Sequence, residues 1–335
     1  MIFTARGLSV TFAMALSCMA LSCMQGVPGA ANAQALPQAL PEGTIEIIVP
    51  FTAGGGVDVM GRLTADILSR GLDRSFIVVN RPGANSNIGN QYVARAKPDG
   101  RTLLVSSVGL SVNKALYKEL SYDPVTGFTP ISLISNAPLG LFVSKSVPVK
   151  TLAEFIAYLK ANPGKLNYAS YGVGSSPHLA AELFQYLTKT KMVHVPFTGN
   201  GPATMAIIQD VTQVIFSSVV AAGPYVENGD MKALAYADEK RSAKFPNIPT
   251  FAEQGLDFKI GTWFALLGPP DLPRSMVDAL NAALKKGIHT PERQSIFDAQ
   301  GAEPVASTPE QFDAFLKAES VRMSALLRDA GIAAQ

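Results

Sequence analysis

The residues able to do chemistry gather around two glycine-rich loops. The first is Phe51-Thr52-Ala53-Gly54-Gly55-Gly56, entered from an apolar run and followed by Val57 and Asp58. The second runs Ser170-Tyr171-Gly172-Val173-Gly174-Ser175-Ser176 and is followed by Pro177. Glycine lets the backbone approach a ligand closely. A helix opening just beyond such a loop adds unpaired N–H groups and a partial positive charge. Together these make an anion site. The other reading is a tight turn, for which one glycine suffices. Successive glycines favour binding in the first loop; in the second the two readings stand level, and each loop strengthens the other. Asp58 either complements the helix dipole or reaches the ligand.

Motifs for other chemistries are missing. The second loop lacks the third glycine of a dinucleotide fingerprint, because Pro177 stands there, and no acid follows at the required distance. No phosphate loop and no G-x-S-x-G elbow occurs. The three histidines, His178, His194 and His289, form no metal pair at helical spacing. Ser175 or Ser176 with His178 is the one arrangement that could serve an exported hydrolase, against a polar or capping role for that histidine. No cofactor and no metal is expected. Segments 51–61, 169–178, 196–204 and 216–224 each follow a strand, and none contains Lys or Arg. An anion there would be held by N–H groups, hydroxyls and water. Tyr171 and Trp263 could line a pocket, although Trp263 reads equally well as a core aromatic.

These loops need strands to present them and helices to follow them. Apolar, β-branched runs at 44–50, 75–80 and 102–107 read as strands with helix-length intervals between. The pattern resumes at 139–144, 166–170, 192–197, 213–217 and 231–237. Thr151 with Glu154 is a capping box before a helix over 152–161. Pro273–Gly287 reads as a helix, Thr290-Pro291 opens another, and Thr308 begins a last one through a second capping box. The alternation implies βαβ units, a parallel sheet and an α/β fold. Ligands in such sheets sit beyond the carboxyl ends of strands. No linker separates the halves, so the chain is expected to cross between them more than once.

The 335 residues suffice for two domains. A net charge of +2 and a charged fraction of 16%, against about 25% typically, disfavour nucleic acid as a partner. Arg6, the apolar run from Leu8 to Leu21 and Ala31-Asn32-Ala33 form the pattern of a secretory signal peptide over 1–33. The run is short for a spanning helix, which needs about 20 residues. Both cysteines, Cys18 and Cys23, fall inside it. A lipid on one of them is the alternative, disfavoured because Ala15 and Ala20 stand where Leu is preferred. A chain cut after Ala33 would have neither a disulfide nor a thiolate.

The segments "IIVPFTAGGGVDVMGRLTADILSRGL", "VVNRPGANSNIG", "KPDGRTLL", "YDPVTGFTPIS", "PGKLNYASYGVGSSPHLAAELF", "VHVPFTGNGPA", "FPNIPTFAEQGL" and "GAEPVASTPEQF" occur in that order. They resemble the substrate-binding proteins of tripartite tricarboxylate transporters, the Bug or TctC family. The resemblance implies a periplasmic binding protein of type II-like fold, with two α/β lobes closing on a ligand cleft as a Venus flytrap. One lobe would take 42–138 and 262–335, the other 139–261. It implies a small organic carboxylate gripped by Thr52–Asp58 and Ser170–Ser176, with Thr198, Ser217 and Ser218 lining the second lobe. It implies a periplasmic monomer serving transporter subunits or a sensor. The family commonly has Pro at Thr52, Thr at Val57, Asn at Val173 and Asp near Ser217, so a less polar ligand remainder is expected.

Overall fold

In the computed structural model, residues 40–242 and 245–329 are described. The signal pattern from Arg6 to Ala33 and both cysteines lie outside them. In chain order the elements are β1 (Thr44–Val49), α1 (Gly56–Leu72), β2 (Ser75–Asn80), α2 (Asn87–Ala94), β3 (Thr102–Ser107), α3 (Gly109–Leu116) and β4 (Thr129–Ser144). Then come α4 (Leu152–Ala161), β5 (Asn167–Ser170), α5 (Ser176–Thr188), β6 (Val193–Pro196), α6 (Asn200–Ile208), β7 (Val214–Ser218), α7 (Val219–Glu227) and β8 (Met231–Tyr236). The last are β9 (Gly261–Gly268), α8 (Arg274–Ile288), α9 (Pro291–Gln300), β10 (Glu303–Pro304) and α10 (Pro309–Asp329).

The fold is mixed α/β. Strand β1 lies between β2 and β3, parallel to both. Covered on both faces, it reads as a near-continuous apolar run: Ile45, Ile47, Ile48 and Val49 are all fully buried. In the other half β5 lies parallel to β6 and β7. The expectation of a parallel sheet holds for these strands and fails for the rest. Strand β9 runs antiparallel to β3, and β4 runs antiparallel to β9, β7 and β8. Hydrophobic runs specify burial but carry no strand direction. The direction follows from the connections, and β4 and β9 are the strands that carry the chain across.

Strand β4 is 16 residues long and serves both halves. Its first part pairs with β9 from Thr129 opposite Gly268 to Pro138 opposite Gly261. From Leu139 onward it pairs with β7, and from Gly140 with β8. The partner change falls at Pro138, which has no N–H to give a ladder. Gly261 opposite it is closely pressed: a Cβ there would stand 2.8 Å from the Ala137 carbonyl oxygen.

The helices start where side chains meet their free N–H groups. Thr151 accepts from Glu154 N–H at 3.2 Å, and Thr290 from Arg293 N–H at 3.3 Å. Thr308 and Gln311 bond reciprocally, at 3.1 and 2.9 Å, to open α10. That helix covers the centre, where Phe312 and Phe315 meet the edge of Trp263. Trp263 is a core residue, only 2% exposed.

Candidate functional site

The first loop follows β1. Gly54 takes φ +84°, a left-handed conformation suited to glycine. Asp58, in the first turn of α1, folds back under the loop. Its Oδ2 accepts from Gly54 N–H at 2.9 Å and from Arg62 Nε at 3.0 Å, and its Oδ1 accepts from Asn80 Nδ2 at 2.9 Å. Asn80 also donates to the Phe51 carbonyl at 3.1 Å. Burial opposes ionisation of Asp58, but these hydrogen bonds outweigh it and hold the carboxyl below its usual range. Both carboxylate oxygens are thus engaged within the protein, and Asp58 acts as a strut of the loop. Val57 is buried in the core beneath it, whereas Thr52, Ala53, Gly54 and Gly55 are exposed and Gly56 is half-buried.

The second loop follows β5. Gly172 and Gly174 take φ +115° and +80°. Ser170 Oγ accepts from Gly172 N–H at 3.1 Å and lies 2.6 Å from His194 Nε2. Ser175 Oγ donates to the Gly172 carbonyl at 2.6 Å, and Ser176 Oγ accepts from Thr262 Oγ1 at 2.8 Å. His178 accepts the Gly174 N–H on Nδ1 at 3.2 Å, which leaves its proton on Nε2. Its ring packs 4.4 Å from His194, which stacks on Tyr168 at 4.8 Å. Burial lowers His178 to about 4, and burial together with His178 lowers His194 to about 4. Both rings are neutral at neutral pH.

The two helices beyond these loops begin without a side-chain cap, as α2, α3, α6 and α8 also do. Gly55 and Ser175, at their N-caps, make no side-chain cap. Thr151, Thr290 and Ser218 do so for α4, α9 and α7. First-turn N–H groups of α1 and α5 are therefore left for a ligand or water.

The loops face a cleft of about 320 Å³. Pro50, Phe51 and Thr52 line it from the first loop, and Tyr171 and Val173 from the second. Tyr171 hydroxyl donates to Asn200 Oδ1 at 2.8 Å and lies 2.9 Å from Ser217 Oγ. Burial pushes its phenol up to about 12, so it stays a neutral donor. Ser217 thus meets the cleft through Tyr171. Ser218 caps α7, accepting from Val220 N–H at 3.2 Å, and packs against Gly301. Thr198 is exposed beyond β6.

Besides Pro50, next to Phe51, sequence reasoning missed Pro82, Gly83, Asn85 and Ser86, which follow β2, and Leu116 and Tyr117, at the end of α3. The carboxyl-end rule applied to β2 would have found the four that follow it. No sequence signal marks Leu116 and Tyr117. None of the lining residues is charged. Among the described residues no group of three or more His, Cys, Asp or Glu is placed to hold a metal.

The geometry gives a Ser/His hydrolase no footing. Neither Ser175 nor Ser176 bonds His178. The Ser–His pair that exists, Ser170 with His194, has its serine wholly buried.

A family model described as tripartite tricarboxylate transporter family receptor matches residues 60–332. The chain belongs to this receptor family. It is a periplasmic solute-binding protein rather than an enzyme. The receptor is 33% identical over 294 residues to Protein BugT of Bordetella pertussis, covering 87% of this chain and 90% of that one. It superposes on the structure of R. palustris Rpa4515 with adipate at a TM-score of 0.79 and 31% identity, covering 88% of this chain and 99% of that one. MatC from Rhodopseudomonas palustris with bound malate gives 0.76 and 30%, covering 86% of the receptor and all of MatC.

Proposed function

We propose that this receptor captures a small organic carboxylate in the cleft between the 51–58 and 170–176 loops. The observation that carries the reading is a cleft lined by no charged side chain, whose wall includes Phe51 and Thr52 on one side and Tyr171 and Val173 on the other, in the two loops that lead into α1 and α5. A carboxylate satisfies the first-turn N–H groups of such helices without needing a cation. The related structures with adipate and malate support the ligand class.

Residues 42–138 with 262–335, and 139–261, act as two lobes. The change of partners along β4 at Pro138, opposite Gly261, supports a hinge there. Phe51, Leu116, Tyr117, Tyr171 and Val173 give about half of the cleft wall an apolar and aromatic character. Acids with an aliphatic or aromatic remainder therefore outrank malate and citrate. The protein works as a monomer that presents its ligand to transporter subunits and binds no nucleic acid.

A thermal-shift screen with adipate, hexanoate, benzoate, malate and citrate tests this. Saturable stabilisation with the acid recovered unchanged is expected, strongest for the less polar acids. Absence of any shift, or a largest shift with citrate, would overturn the reading.

A further inference from the structure

Ala84, Asn85 and Ser86 take φ +48°, +47° and +75° in succession. Non-glycine residues rarely enter this region, and three in a row persist only where their surroundings over-determine them. The surroundings here are a buried amide network. Asn113, fully buried in α3, donates through Nδ2 to the Asn85 carbonyl at 3.0 Å and to Asn87 Oδ1 at 2.7 Å. Its Oδ1 accepts from Asn85 Nδ2 at 2.9 Å. Asn90 Nδ2 donates to Ser86 Oγ at 3.0 Å.

This scaffold sets the Asn85 amide on the cleft wall opposite the second glycine loop. A Cβ on Gly174 would stand 2.5 Å from Asn85 Nδ2, which is the nearest atom to it. Asn85 is also the only residue lining the cleft with a side-chain N–H. One of its two amide hydrogens goes to Asn113. We propose that the other is a donor to an oxygen of the bound carboxylate, making Asn85 a specificity-determining residue of the cleft. A turn alone could be made by glycine without strain. The strained asparagine adds a neutral donor, held in place, where no cation is present. This assignment rests on the carboxylate reading above.

The test is calorimetric titration of wild type, Asn85→Gly and Asn85→Asp with adipate, hexanoate, benzoate and malate, beside unfolding of each ligand-free protein. Glycine tolerates this φ, so Asn85→Gly should still fold, with a midpoint lowered because buried Asn113 Oδ1 loses its donor. It should bind the preferred acid about tenfold more weakly, the worth of one hydrogen bond. Asn85→Asp should bind more weakly still, because its carboxylate would face another. Wild-type affinity in Asn85→Gly, or binding by Asn85→Asp no weaker than by Asn85→Gly, overturns the assignment while the carboxylate reading stands. A wild-type protein that takes up none of the four acids overturns both.

Discussion

The backbone N–H of Gly174 donates to Nδ1 of His178 at 3.2 Å, four residues along the chain. The histidine that sequence reasoning weighed as a catalytic base is instead a prop beneath the second glycine loop. His178→Phe would keep an aromatic ring beside His194 but leave the Gly174 N–H without its acceptor. The expected loss is about 1–3 kcal/mol of stability, the usual cost of an orphaned buried donor. Urea unfolding of the variant measures it, and wild-type stability would contradict the role.

The same histidine should make the protein acid-sensitive. Burial holds His178 at about 4, below its ordinary 6.5. Between those values the unfolded chain binds a proton that the native state does not. Stability is therefore complete above pH 6.5, falls as pH drops towards 4, and levels off below. For His178 the span is worth about 3 kcal/mol. The Asp58 carboxyl, held below its ordinary 3.8, loses its contribution below that value, outside this window. Unfolding midpoints followed from pH 7 to pH 4 should decline in wild type and decline less in His178→Phe. A flat profile in wild type would show that the ring titrates freely.

Asp58 joins the first loop to β2 through Gly54 and Asn80. Asp58→Ala removes the acceptor of three hydrogen bonds, one of them from Arg62. Stability should fall by about 2–3 kcal/mol, and carboxylate affinity should fall with it because the loop loses its strut. Asp58→Asn should recover part of both. Unchanged stability in Asp58→Ala would show that the loop holds itself.

Two glycines separate close approach from conformation. Gly55 has ordinary φ −78° and room for a Cβ, whose nearest neighbour would be the Thr52 carbonyl oxygen at 3.6 Å. Gly174 has φ +80°, and a Cβ there would run into Asn85 and Leu116, at 2.5 and 2.9 Å. Gly55→Ala should fold and bind almost as wild type does. Gly174→Ala should hold the two sides of the cleft apart, giving a larger radius of gyration with ligand than wild type shows. Equal scattering by the two liganded variants would refute the contact.

Much of this architecture was legible in the residues. The runs at 75–80 and 102–107 coincide with β2 and β3: β3 is buried between β1 and β9 and is announced by Leu103, Leu104 and Val105, whereas β2 lies at the sheet edge and is marked by β-branched Ile77, Val78 and Val79. The first half of β4 was not, since Pro130, Asn136 and Pro138 punctuate it as a loop would be punctuated. Helices α2 and α3 span only eight residues each and carry asparagines and serines, so no apolar stripe announces them. Their polar residues build the network behind Asn85, a tertiary arrangement that spacing does not encode. The two glycine loops were visible because glycine runs have few other uses. Leu116 and Tyr117 reach the cleft only through the fold.

The most direct test of the central claim is calorimetric titration of the receptor with adipate and with its uncharged diamide, which has nearly the same shape. An uncharged cleft walled by the two loops that lead into α1 and α5 predicts saturable one-to-one binding of adipate and none of the diamide. Equal binding of the two, or heat from the diamide alone, would show that the cleft does not recognise a carboxylate.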